Sequence, residues 1–173
     1  GKIIVPEYVI DKATKLETVH NRISEIRTRF EVLKRDAIIE RCNAEIRGDD
    51  PLITENIYNR TVKKLNSDFK FIAKCNKGTE YLSESDISRL DDISKITWHR
   101  SFDKSLGLSF AEEKEFKSSN LSGAPSLERL LTDGSECFVG RIDKGELNNL
   151  SIKKGTLTFS EFEIIKEHAS FGN

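Results

Sequence analysis

Residues 14–47 read TKLETVHNRISEIRTRFEVLKRDAIIERCNAEIR, and the spacing of apolar side chains in this stretch decides the fold class. Thr14-Lys15-Leu16-Glu17 is a capping box, in which the Thr14 hydroxyl accepts from the Glu17 amide and the Glu17 carboxylate reaches back. Leu16, Val19, Ile23, Ile26, Phe30, Leu33 and Ala37 then follow at alternating steps of three and four, a heptad seam. Ile38, Ile39, Cys42 and Ile46 are expected to carry the apolar face on to Arg47, where Gly48-Asp49-Asp50-Pro51 stops the helix. At ~1.5 Å per residue this element spans on the order of 50 Å, which is long for a globular core.

A second helix is expected from Thr54, with Glu55 in its first turn. Its apolar positions are Tyr58, Val62, Leu65, Phe69 and Ile72, and Lys77-Gly78 ends it. Two seams joined by a short Asp/Pro turn predict an antiparallel hairpin, because each helix is the nearest cover for the other. Parallel self-association through either seam is the competing arrangement.

Shorter elements follow. Ile87, Leu90, Ile93, Ile96 and Trp98 predict a helix over 85–100. Ser109-Phe110-Ala111-Glu112 is a second capping box, opening a helix toward Phe116. Residues 117–125 read as loop, and Ser126 as the cap of a short helix through Leu131. Glycines and polar residues over 133–155 predict irregular chain, with brief extended pairing around Phe138-Val139. Thr158-Phe159-Ser160-Glu161 is a third capping box, and Phe159, Phe162, Ile165 and Ala169 line one face of the last helix. The chain is thus expected to be mainly all-α: an N-terminal segment (1–13), a long helical hairpin with heptad seams (14–78), a short-helix region (79–132), and an irregular C-terminal region with its helix (133–173).

Composition narrows the function classes. The 28 basic and 29 acidic residues leave a net charge of −1, so no overall field draws the chain to nucleic acid or anionic lipid. The longest apolar runs, such as Phe71-Ile72-Ala73, are far too short to span a bilayer. Cys42, Cys75 and Cys137 are scattered and odd in number, the pattern of reduced thiols in a cytoplasmic protein. With no methionine in 173 residues and Gly1 in first place, the chain reads as a piece of a longer protein.

Walker, dinucleotide-binding, zincin and nucleophile-elbow motifs are all absent from the sequence. His20 lies beside the first seam and reads as a solvated helix position. His99, next to the single tryptophan, reads as a partly buried packing residue. Arg22, Arg27, Arg29, Lys34 and Arg35 are interleaved with Glu25, Glu31, Asp36 and Glu40, which predicts a solvated face laced with i,i+4 pairs. These readings alone describe a helical interaction module.

The ends of the chain add a resemblance. Residues 145–158 (GELNNLSIKKGTLT), followed by Glu163-Ile164-Ile165-Lys166-Glu167-His168, resemble the loop and metal-ligand helix of HD-GYP phosphohydrolases. Residues 1–12 (GKIIVPEYVIDK) look like the run just after that family's H-D-x-G-K motif. Residues 14–36, with the run 22–31 (RISEIRTRFE), are similar to an insertion found in a sensor-linked subgroup, as are residues 97–103 and 106–109. The resemblance implies a metal-dependent phosphodiesterase acting on a cyclic dinucleotide, cyclic di-GMP, with a divalent transition metal (Mn or Fe) as cofactor. It implies that His168 is a metal ligand and that Lys2 contacts the substrate phosphate. A neutral imidazole suits such a metal, which activates water and neutralises phosphoryl oxygens. One histidine does not make that site. The chain is therefore expected to be an accessory helical insertion, inactive and metal-free by itself. Homodimerisation through the heptad helices stays open, as does the alternative of a stand-alone coiled-coil interaction module.

Overall fold

A computed structural model of the chain describes residue 9 and residues 23–77, 81–108, 110–118, 122–132 and 145–170. The architecture is mainly helical, as the periodicity predicts, and two long antiparallel helices dominate it. Helix α1 (Ile23–Arg47) contains no glycine or proline and carries Glu25 in its first turn and Arg47 in its last, each suited to the helix dipole. It ends in a Schellman turn. Gly48 takes φ +83°, its N–H donates to Glu45 O at 3.1 Å, and the Asp49 N–H donates to Ala44 O at 3.0 Å. Helix α2 (Pro51–Asn76) starts three residues before the expected Thr54. The Asp50 carboxylate accepts from the Leu52 and Ile53 N–H groups at 2.8 and 3.3 Å, and Pro51 occupies a first-turn position where its missing N–H costs nothing.

The two seams close on each other. Ile23, Ile26 and Phe30 of α1 are buried with Leu65 and Ile72 of α2 in one cluster, and Phe30 meets Phe69 at 5.4 Å between ring centroids. Toward the turn the expected apolar face departs from the seam. Ile38, Ile39, Cys42 and Ile46 are exposed, and Ala44 is the buried position instead. The geometry explains this correction. The seam continues from Ala37 in steps of four and three through Arg41 and Ala44, which points the intervening isoleucines outward. The Thr14 capping box with Leu16 and Val19, and the Phe138-Val139 pairing, lie outside the described residues.

Helix α3 (Glu84–Ser94) is capped by Ser83, whose hydroxyl accepts from the Asp86 N–H while Asp86 accepts from the Ser83 N–H, both at 3.1 Å. It packs Leu90 and Ile93 into the same core cluster. The helix stops at Ser94, and the expected helical run to Arg100 is instead strand β1 (Thr97–Arg100). After helix α4 (Phe110–Ser118), the predicted short helix from Ser126 is strand β2 (Ser126–Arg129), antiparallel to β1 with Trp98 opposite Glu128 and His99 opposite Leu127. A helix over either stretch would forgo this ladder. The ladder also turns Trp98, Arg100, Ser126 and Glu128 to the partly buried face. Helix α5 (Glu146–Leu150) replaces part of the expected irregular chain, and helix α6 (Phe159–Ser170) opens on the predicted Thr158 box. There the Glu161 N–H donates to Thr158 Oγ1 at 3.3 Å and the Thr158 N–H to Glu161 Oε2 at 2.7 Å. Leu82, Leu130, Leu131 and Leu150 join the cluster, so the core sits at the base of the hairpin. Among the described residues, no helix is long and apolar enough to cross a membrane.

Candidate functional site

Of the residues singled out from the sequence, those that the structure describes lie on separate elements. His168 lies near the end of α6 and is exposed, and His99 is exposed on the outer face of β1, not half-buried as expected. The alternation of the ribbon decides the latter, since Trp98 takes the inward position and its neighbour must face out. Lys2, His20, Arg22 and Cys137 lie outside the described residues. Among the described residues no three His, Cys, Asp or Glu side chains gather as metal ligands would. Cys42 is exposed on α1. Cys75 is buried in the core, and desolvation pushes its thiol up to about 11.

What does converge is a buried charge node that the sequence reading placed on a solvated face. Arg29 sits on the core side of α1, its side chain only 10% exposed and that of Glu146 only 3%. The guanidinium donates from Nη1 to Glu146 Oε2 at 2.6 Å and to Leu130 O at 2.9 Å, and lies 5.9 Å above the Trp98 ring. Glu25, one turn earlier, reaches it at 3.5 Å from solvent. Glu146 is fixed from the other side. The Thr132 N–H donates to its Oε2 at 3.0 Å, and its own N–H donates to Thr132 Oγ1 at 3.2 Å. Glu146 Oε1 is buried and accepts no hydrogen bond among the described residues. One guanidinium thereby joins α1 to the ribbon and, 117 positions away in sequence, to α5.

A second node ties α2 to α3. Asp68 is buried and accepts from Lys64 at 2.7 Å and from Arg89 at 3.1 Å, while Arg89 lies 4.3 Å above the Phe71 ring. A third sits on the ribbon's inner face, where Arg100 donates to Glu128 at 2.7 Å. Burial by itself would raise the Glu128 carboxyl, but Arg100, Lys104 and Ser126 outweigh it and hold the group below its ordinary value. None of the three nodes pairs a nucleophile with a base. Each carboxylate is engaged by cations, so their chemistry is positional: the first two tie the hairpin to the ribbon, α5 and α3, and the third ties the two strands of the ribbon together.

Sequence reasoning missed Arg29, Asp68 and Glu146 because a charged side chain on a helix is solvated by default. The one signal for Arg29 was its place beside Phe30 and three residues after Ile26, on the seam side of α1. Compared with protein-family models, curated proteins and solved structures, the chain matches none.

Proposed function

We propose that this chain is the accessory helical region of an HD-GYP type phosphohydrolase, its hairpin an arm fixed to the segment that leads into the metal-ligand helix. The supporting observation is the Arg29 node. Arg29 falls in the stretch 22–31, Trp98 in 97–103 and Glu146 in 145–158, so three of the stretches that carry the resemblance meet at a single buried guanidinium. An insertion that reported to a catalytic centre would need such a rigid joint, because a flexible one would transmit no change in arm position. On this reading the substrate of the whole protein is cyclic di-GMP and its location cytoplasmic. His168 then becomes a ligand only alongside ligands that the described residues do not supply.

The test is hydrolysis of cyclic di-GMP with manganese or iron(II), comparing this chain with a version extended at both ends. Turnover by the extended protein alone is the expected result. Turnover by neither would discard the phosphohydrolase reading in favour of a stand-alone interaction module, which the exposed Ile39, Ile46, Leu52, Ile53 and Ile57 toward the hairpin tip favour. Turnover by this chain alone would overturn the accessory role.

A further inference from the structure

We propose that the hairpin pairs with a second copy of itself, through the groove along one flank of its distal half and with the two tips pointing the same way. This goes beyond the phosphohydrolase reading and stands independently of it. The proximal half of the two seams is consumed inside one chain, at Ile23, Ile26, Phe30, Leu65 and Ile72, so the surface left for assembly is the distal half. It is a groove of about 870 Å³ between α1 and α2, running from the turn down to Leu33 and Leu65. Ala37 and Ala44 keep its floor low, and Ile53 and Ile57 stand on its α2 lip, 60% and 61% exposed.

The charges on the two lips identify the occupant. The α1 side carries Asp36 and Glu40 with Arg41 and Arg47, and the α2 side carries Arg60 and Lys64; Arg41 is engaged by Glu55. Glu40 is engaged by Arg47, and Lys64 by Asp68. Asp36 and Arg60 are exposed, with no ion pair or hydrogen bond among the described residues. Their heights match. Arg41 meets Glu55 across the hairpin at 2.9 Å, and five residues further from the turn on each helix bring the chain to Asp36 and Arg60. A two-fold axis parallel to the helices sets α1 of one copy against α2 of the other at equal height. Each Asp36 then faces the other copy's Arg60, twice over, as a self-complementary interface requires. The alternative two-fold axis, perpendicular to the helices, sets α1 against α1 and α2 against α2, so neither Asp36 nor Arg60 meets the opposite unpaired charge. The first arrangement also covers Ile53 and Ile57 and completes a four-helix bundle.

The face is about 22 Å long and about 20 Å wide, or roughly 900 Å² for both copies together, at the small end for a specific interface. A reversible dimer with a dissociation constant on the order of 10–100 μM is therefore expected. Sedimentation equilibrium of this chain and of three variants tests it, with far-UV circular dichroism confirming the helical content of each. Asp36→Arg and Arg60→Asp should each weaken the dimer by about tenfold, and the combined exchange should restore it. A monomer up to about 1 mM, single variants without effect, or a double variant no tighter than the singles would each overturn the proposal. So would a tighter dimer in Asp36→Arg, because that outcome belongs to the opposite axis. The readout is mass and not turnover, so its failure leaves the phosphohydrolase reading standing, and the reverse also holds.

Discussion

Replacing Arg29 with alanine strikes the joint where α1, the ribbon and α5 meet. The loss has two parts. The Leu130 carbonyl loses its donor, a burial penalty of about 1–3 kcal/mol. The Glu146 carboxylate, 3% exposed, loses the cation that compensates it and keeps, among the described residues, only the Thr132 N–H. Removing one partner of such a pair costs about 3–5 kcal/mol in all, a large share of the about 5–15 kcal/mol that holds a domain folded. Glu146→Gln should cost less, about 1–3 kcal/mol. It keeps an oxygen for Arg29 and Thr132, and Arg29 can lean toward Glu25, which is 58% exposed. Converting both partners to apolar residues, Arg29→Met with Glu146→Leu, should lose far less than Arg29→Met and Glu146→Leu made singly and added, because no charge is left stranded. Urea unfolding followed by circular dichroism gives these free energies. Trp98, the single tryptophan, gives a local reading, since its emission should shift once the guanidinium over its ring is gone. A cost below about 1 kcal/mol for Arg29→Ala, or single and double changes that simply add, would refute the claim that this buried pair couples the hairpin to the rest.

Other expectations rest on the same geometry. Asp50→Ala removes the oxygen that accepts from two N–H groups of α2 and should cost about 1 kcal/mol by urea unfolding, whereas Asp50→Asn should cost only a fraction of that. Acid should destabilise the fold. Hydrogen bonds from the Ser83 hydroxyl and N–H hold Asp86 below its ordinary 3.8, those from Ser105 do the same for Asp103, and Glu128 is held below 4.5. In each case the unfolded chain binds the proton first as pH falls, so the stability present above these values is lost as pH drops through and below them, and Asp86→Asn should flatten that limb of a pH-dependent melting series. A thiol reagent at mildly alkaline pH should label exposed Cys42 in the folded chain but leave Cys75, raised to about 11, unlabelled until denaturant is added; prompt labelling of Cys75 would place it outside the core.

The hairpin was legible because its information is local and periodic. Ile23, Ile26, Phe30, Leu65 and Ile72 recur at heptad steps, and Gly48-Asp49-Asp50-Pro51 is a stop followed by a start. The ribbon was illegible for an equally physical reason. Its inward face carries Arg100, Ser126 and Glu128 beside Trp98, while Leu127 points to solvent, 67% exposed, so polarity and burial run opposite to the usual alternation. The strand residues are stabilised by an ion pair that exists only once both strands are in register. The charge node was hidden likewise, since nothing in the run around Glu146 marks it as the counterion of a residue 117 positions earlier. His168 could be singled out only by resemblance, and it lies exposed on α6.

That separation of 117 positions has a kinetic consequence. Arg41 and Glu55 close a loop of only 14 positions across the hairpin, so bringing Arg29 to Glu146 costs about 2 kcal/mol more chain entropy than closing the turn. The hairpin should therefore zip early, from its capped turn downward, and the joint at its base should lock last. Weakening the joint would then hasten unfolding and leave the folding rate nearly untouched. In hydrogen exchange, the amides of the ribbon and α5 would open while those around Phe30 and Phe69 stay closed, so the arm would outlive its own attachment.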